Sequence, residues 1–205
     1  MQLEPRILDA ALLAEYEAKL RQQGVPLEDW GHAGISPQRQ HEVLEPLRLR
    51  LPAEAQTWWS WHNGSPGYGL AKLAAPLGER LLTIEQAVDV YREYRQLAVE
   101  LAEPDIPELA NPDDRWHPQW LPITGRQTPI AIDCSEPTRP TTPIRRIDLQ
   151  HVAQSHAIAA ASLGQMVAWW IAAIDSGAWR WDQDKAEWIV DAYRLDHDFK
   201  ASGLA

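Results

Sequence analysis

The chain has 205 residues, a formal net charge of −10, 11 Trp and a single Cys. An acidic balance of this size argues against DNA or RNA as a partner, because nucleic-acid affinity comes largely from Lys and Arg neutralising phosphates; the same field hastens encounter with a basic protein. Lone Cys134 excludes an intramolecular disulfide and the multi-thiolate zinc sites, no basic stretch leads into an apolar run at the N-terminus, and no segment has the apolar length of a membrane span, so a cytoplasmic protein with no membrane partner is expected.

At this length one domain, 1–205, is the expectation. From Pro5 to Gln23, Leu8, Leu12, Tyr16 and Leu20 recur four apart, and Gly24 follows, which predicts an amphipathic helix. Residues 25–35 read as a loop around Trp30. Ser36-Pro37 opens a second short helix, Ser36 as N-cap and Pro37 at its first position, ending near Glu45-Pro46. Leu51 to Gly64, LPAEAQTWWSWHNG, is bracketed by Pro52, expected in the first helical turn, and by the Asn63-Gly64 turn. Ala55, Trp58 and Trp59 follow Leu51 at helical spacing, so this helix packs into a core, with His62 at its C-terminal end. Asn63-Gly64-Ser65 matches a glycosylation sequon but reads as the turn that ends the helix.

Residues 63–78 are rich in Gly and Pro and predict an exposed loop, and 80–82 a brief strand. Thr83-Ile84-Glu85-Gln86 is a capping box, opening a helix to about Leu101 with Val88, Tyr91, Tyr94 and Ala98 or Leu101 on its apolar side. Glu100 to Asp114 carries six carboxylates and no basic residue and is broken by Pro104, Pro107 and Pro112, which predicts an extended acidic loop. Trp116 to Ile123 then leads into two β-like runs, Pro129 to Asp133 and Pro143 to Leu149. Ser162-Leu163-Gly164-Gln165 is a second capping box, and Val167, Trp170, Ile171 and Ile174 form the buried face of a helix ending at Gly177. Trp179 to Trp181 and Glu187 to Val190 flank a hairpin turn; residues 201–205 are expected to fray.

The order of these motifs resembles the SUKH superfamily, which includes yeast cell-wall-assembly regulators and many bacterial toxin-immunity proteins. The resemblance rests on Leu51-Pro52 opening a helix that contains Trp58 and closes on Asn63-Gly64, on Trp120-Leu121-Pro122-Ile123, on a strand ending in Asp133, and on Ser162 opening a late helix. It is strongest over residues 36–190, with 1–35 an N-terminal helix and loop. The chain departs from the pattern at Thr124-Gly125-Arg126-Gln127, where a glycine-rich acidic turn is usual, and in its richer cluster of Trp58, Trp59 and Trp61. What the resemblance implies is an α+β fold, helices packed on one mixed β-sheet, and a non-catalytic protein-binding role. The leading expectation is a bacterial immunity protein that neutralises a toxin by stoichiometric binding; a regulatory or scaffold protein of the cell-wall-assembly type is the alternative, and an enzyme the third.

No motif supplies a convincing catalytic set. His41-Glu42-Val43-Leu44-Glu45 begins like a zinc-protease helix, but Glu45 stands where the second imidazole is required. Asp182-Gln183-Asp184 starts like a calcium loop but lacks the glycine of its sharp turn and reads as the hairpin's solvated tip. Cys134 reads as a small core or edge residue with no base beside it, and adjacent Ser155 and His156 do not face each other as a catalytic pair. No catalytic residue, metal or cofactor is therefore expected. The partner-binding expectation falls on Glu103, Asp105, Glu108, Asp113 and Asp114, steering a basic toxin domain, with Trp116 and Trp120 as surface anchors beside them. The competing reading is a solvated loop with every tryptophan in the core; Trp58 and Trp170 are expected in the core on either reading.

Overall fold

The computed structural model describes residues 6–27, 31–65, 80–103, 105–106, 110–125, 129–149 and 157–204. The predicted loop over 63–78 lies outside them beyond Ser65, as do Trp30, Glu108, Arg126, Gln127, Ser155 and His156.

Three helices precede the sheet. Helix α1 (Ala10–Gln22) starts where the Asp9 carboxylate accepts from Leu12 N, 2.8 Å away, and it buries Leu12, Leu13, Tyr16 and Leu20. Helix α2 (Pro37–Leu44) has Ser36 as N-cap and Pro37 first, as its sequence predicts, and tightens into a 3-10 turn at Glu45–Leu47. Helix α3 (Ala53–Trp61) starts one residue later than expected: Pro52 is its N-cap, with extended backbone. Ala55, Trp58 and Trp59 are buried, and Trp59 Nε1 donates to the Leu82 carbonyl at 3.2 Å. Gly64 follows with φ +75°, and a Cβ there would stand 2.4 Å from Thr83 N, so glycine is needed both for its backbone and for its room.

Helix α4 (Ile84–Glu100) carries the predicted capping box, Thr83 and Gln86 each accepting from the other's backbone N–H at 3.1 Å. The strand expected at 80–82 reduces to one isolated bridge, Leu81 with Thr124. A single-turn helix, α5 (Pro112–Arg115), leads into strands β1 (Trp120–Pro122), β2 (Ile130–Asp133) and β3 (Ile144–Arg146). These pair as an antiparallel meander, with Trp120 opposite Asp133 and Ile130 opposite Arg146. Helix α6 (Leu163–Asp175) is apolar on almost every side, and strands β4 (Trp179–Asp182) and β5 (Glu187–Val190) form the predicted hairpin after it.

The fold is α+β, but the expectation of one mixed sheet is corrected: the described strands form two antiparallel sheets, one of three strands and one of two. Short connections between successive strands favour antiparallel pairing, whereas a parallel pair needs a crossover of a dozen or more residues. The hairpin stands apart from the meander, and on its β4 side it meets the end of α1: Trp181 N donates to Gln23 Oε1 at 3.5 Å, and Gly24 lies against the Gln183 side chain.

The buried apolar residues form one continuous cluster. Around α6 it is aromatic, with Trp170 5.5 Å from Tyr16, 6.2 Å from Trp58 and 6.5 Å from Trp179 between ring centroids. Trp58 and Trp170 are both buried, as the sequence predicts. The expected frayed tail is also corrected. Helix α7 (His197–Ser202), capped by Asp196, buries Phe199 against Trp169 and Trp179, and Leu204 beyond it is buried too.

One buried carboxylate ties distant segments together. Glu54, in the first turn of α3, is fully buried; its Oε1 accepts from Leu8 N at 2.7 Å and Gly164 N at 3.1 Å, and its Oε2 accepts from Thr142 N. The Gly164 donor belongs to the N-terminal turn of α6, where unpaired N–H groups and the helix dipole favour an anion. Ser162, the N-cap of α6, donates from its hydroxyl to the Arg6 carbonyl at 2.8 Å. A Cβ at Gly164 would come within 2.2 Å of that same carbonyl, so the backbone of 6–8 lies directly across the start of α6.

Candidate functional site

The C-terminal half of α4 and the acidic segment after it carry the clearest solvent-facing feature. The inward side of α4 buries Ile84, Ala87, Val88, Tyr91 and Ala98. Leu97 and Leu101, four apart and so on one helical face, are exposed together with Val99, and Ile106 is exposed in the turn closed by its N–H donating to the Glu103 carbonyl at 2.9 Å. Exposed Glu93, Glu100, Glu103 and Asp105 are interleaved with them. An apolar pair on one helical face among carboxylates is suited to an apolar contact ringed by basic groups of a partner.

The predicted anchors are elsewhere. Trp116 and Trp120 are buried, at 0% and 2% exposure, which corrects the expectation that they face a partner. Trp116 lies under α4: its ring is 5.0 Å from that of Tyr94, its Nε1 donates to the Trp120 carbonyl at 3.1 Å, and its own carbonyl accepts from Arg95. Trp120 is covered by the Arg145 guanidinium, 4.9 Å from its ring centroid. Both rings hold α4 and α5 to the meander. Leu97, Val99 and Ile106, which sequence reasoning passed over, and Leu101, which it offered for the buried stripe, supply the exposed apolar surface instead; the available signal was apolar residues in the last turns of α4 that its buried side does not need.

The five predicted acidic residues divide. Glu103 and Asp105 are exposed. Asp113 is half-exposed and paired with Arg95, Oδ1 to Nη1 at 2.7 Å, so its charge is locally compensated. Asp114 is half-buried in α5, and Glu108 lies outside the described residues.

The signature residues of the sequence are structural in their geometry. Leu51 and Pro52 precede α3, Asn63 Oδ1 accepts from Ile84 N at 2.8 Å, and Leu121 and Ile123 are buried in and beside β1. Asp133 accepts from both the hydroxyl and the N–H of Ser135 through Oδ1 and from Arg145 through Oδ2, at 2.9 Å to Nη2. Burial pushes its carboxyl upward, but the Ser135 hydrogen bonds and the Arg145 guanidinium outweigh it and leave the pKa below its ordinary value.

The nearest approach to an acid–base constellation lies on α1 and α3. Glu17 Oε1 accepts from Trp61 Nε1 at 2.7 Å and lies 3.4 Å from His62 Nε2, while His62 Nδ1 is 3.1 Å from the His32 carbonyl. Burial raises the Glu17 carboxyl and the hydrogen bonds from Trp61, Arg21 and His62 bring it below its ordinary value. Each imidazole nitrogen faces an oxygen, and the single N–H of a neutral ring can donate to one of them, which places the ring between α1 and the 31–35 loop. Cys134 is buried, and desolvation, with the nearby Asp133 charge, pushes its thiol far upward, which disfavours the thiolate that nucleophilic chemistry needs. Among the described residues no group of three or more His, Cys, Asp or Glu could hold a metal ion, and no helix is long and apolar enough to cross a membrane.

No family model matches this chain, and no curated protein matches it either.

Proposed function

We propose that this chain is a SUKH-like, non-catalytic protein-binding domain, an immunity protein that neutralises a basic toxin domain in the bacterial cytoplasm by stoichiometric binding. The observation that carries the reading is exposed Leu97 and Leu101 on one helical face, followed by exposed Ile106, with Glu100, Glu103 and Asp105 exposed between them along the chain. Apolar contact supplies affinity there, and the carboxylates, within a net charge of −10, supply steering and selection for a basic surface. The order of motifs lends support: Leu51-Pro52 before α3, Trp120 to Ile123 on and after β1, Asp133 at the end of β2 and Ser162 capping α6.

The test is affinity capture from lysate of the source organism with the wild-type chain and with a triple variant, Glu100→Lys, Glu103→Lys and Asp105→Lys, at low and high salt. A single basic protein held one-to-one by the wild type, released by salt and lost by the variant is the expected result, with association slowed about 10-fold or more at low salt. Retention of the same protein by the triple variant at both salt concentrations would remove α4 from the interface. Several weakly held proteins would favour the regulatory scaffold over the immunity protein.

A further inference from the structure

Away from the acidic end of α4, a cleft of about 400 Å³ opens where α2, the 49–51 segment and the 137–138 turn meet. Its apolar lining comes from Pro37, Leu44, Leu49, Leu51 and Pro137. Its polar lining includes Arg50 and His41, both exposed, and neither has a hydrogen-bond or ion-pair partner among the described residues. No Asp or Glu lines it. On a chain with a net charge of −10, most of the other described arginines and lysines are paired with carboxylates, such as Arg39 with Glu85 and Arg145 with Asp133. The cleft therefore offers a guanidinium with no ion-pair partner among the described residues, and no carboxylate in the lining to oppose an anion.

We infer that this cleft binds a small apolar carboxylate, its carboxyl group on the Arg50 guanidinium beside His41 and its hydrocarbon portion on the leucine and proline wall. A single permanent cation suits a monoanion, since a guanidinium takes a carboxylate through two parallel N–H···O bonds, whereas a phosphate dianion is ordinarily held by several donors or cations together. The volume lies in the range of small-molecule sites, and an apolar lining with a few convergent polar groups is their usual composition. Gln40 and Gln56, also in the wall, have their amide N–H groups committed to the protein, Gln40 Nε2 to the Ile35 and Gln56 carbonyls and Gln56 Nε2 to the Leu51 carbonyl. They fix the wall, leaving Arg50 and His41 to bind the anion. This site is independent of the partner surface on α4.

The experiment is a titration of the full chain with hexanoate, followed by backbone amide NMR shifts, with hexanamide as the uncharged probe of the same length. A ligand of this size is expected to saturate with Kd on the order of 1 mM. Shifts should concentrate at Gln40, Leu44, Leu49 and Thr138, and hexanamide and the Arg50→Gln variant should each weaken binding about 10-fold. Thr138→Trp, at an exposed turn position, should abolish binding by filling the cleft while leaving Arg50 and His41 in place. Absence of saturable shifts at these residues, equal binding of hexanoate and hexanamide, or indifference to Arg50→Gln would each overturn the inference.

Discussion

Replacing Glu54 by Gln tests the fold at its most connected point while changing one atom. The carboxylate accepts three backbone N–H groups, from Leu8 and Gly164 at Oε1 and from Thr142 at Oε2. The best the amide can do is keep its oxygen on Leu8 and Gly164 and turn its NH2 toward Thr142, donor against donor. Two charge-assisted bonds then become neutral ones, a loss of about 1 kcal/mol each, and the buried Thr142 N–H goes unpaired at a further ~1–3 kcal/mol. The sum is roughly 3–5 kcal/mol as an upper figure, since the neutral amide is spared the desolvation cost of a buried charge. That is a large share of the ~5–15 kcal/mol that holds a typical domain together, and in a chain of this size it lowers Tm by up to roughly 6–20 °C. Urea and thermal unfolding followed by tryptophan fluorescence measure it, with exposed Glu42→Gln as the control, and hydrogen exchange should quicken at the Leu8, Thr142 and Gly164 amides. A loss under about 1 kcal/mol with unchanged exchange would mean the three N–H groups do not depend on the charge, refuting the argument.

Acid should weaken the fold through Asp133, Glu17 and Glu85, whose carboxyls all sit below their ordinary values, each because hydrogen bonds and a neighbouring arginine outweigh the upward push of burial. Their folded pKa values are depressed, so their stabilisation is complete above the unfolded carboxylate range and is lost as pH falls through the folded values. Urea midpoints should therefore hold near neutrality and drop below about pH 4, and Asp133→Asn should flatten that drop. Trp116→Ala should lower stability by about 3–5 kcal/mol, as loss of a fully buried aromatic does, whereas a surface anchor would leave the unfolding midpoint unchanged. Cys134 should react with a thiol reagent only as fast as the protein opens, so its modification rate should rise with urea in step with unfolding; rapid labelling of the native state would contradict its burial.

What the sequence shows well is whatever closes locally. Ser36, Thr83 and Ser162 cap the helices expected of them because a cap spans only three residues, and alternation or helical spacing located Trp58, Trp170 and the β4–β5 hairpin. At Ser162 the reciprocal bond shifts by one residue, Gln165 accepting from Ala161 N, a detail that spacing alone does not resolve. Trp116 and Trp120 were misread because proximity in the chain to acidic residues says nothing about which helix folds over them; α4 and Arg145 do, from residues well separated in sequence. Nothing in the sequence marks Glu54 for burial, which follows only when three remote segments converge on it. The C-terminal segment is too short and polar for periodicity, so Phe199 and Leu204 gave no signal until Trp169 and Trp179 supplied the surface that covers them.

The convergence on Glu54 also dictates when, during biosynthesis, this protein can finish folding. Its three donors lie 46, 88 and 110 residues away along the chain. A ribosome adding about 5–20 residues per second takes roughly 5–20 s between making Glu54 and making Gly164. Through that interval α3 can form its helix and Leu8 is already made, but Glu54, beside the apolar surfaces of Trp58 and Trp59, still lacks its Gly164 donor and for most of the time its Thr142 donor as well. The nascent chain must keep that carboxylate hydrated, and the closing step waits for α6, so folding ends late and through contacts of high sequence separation, the slow kind.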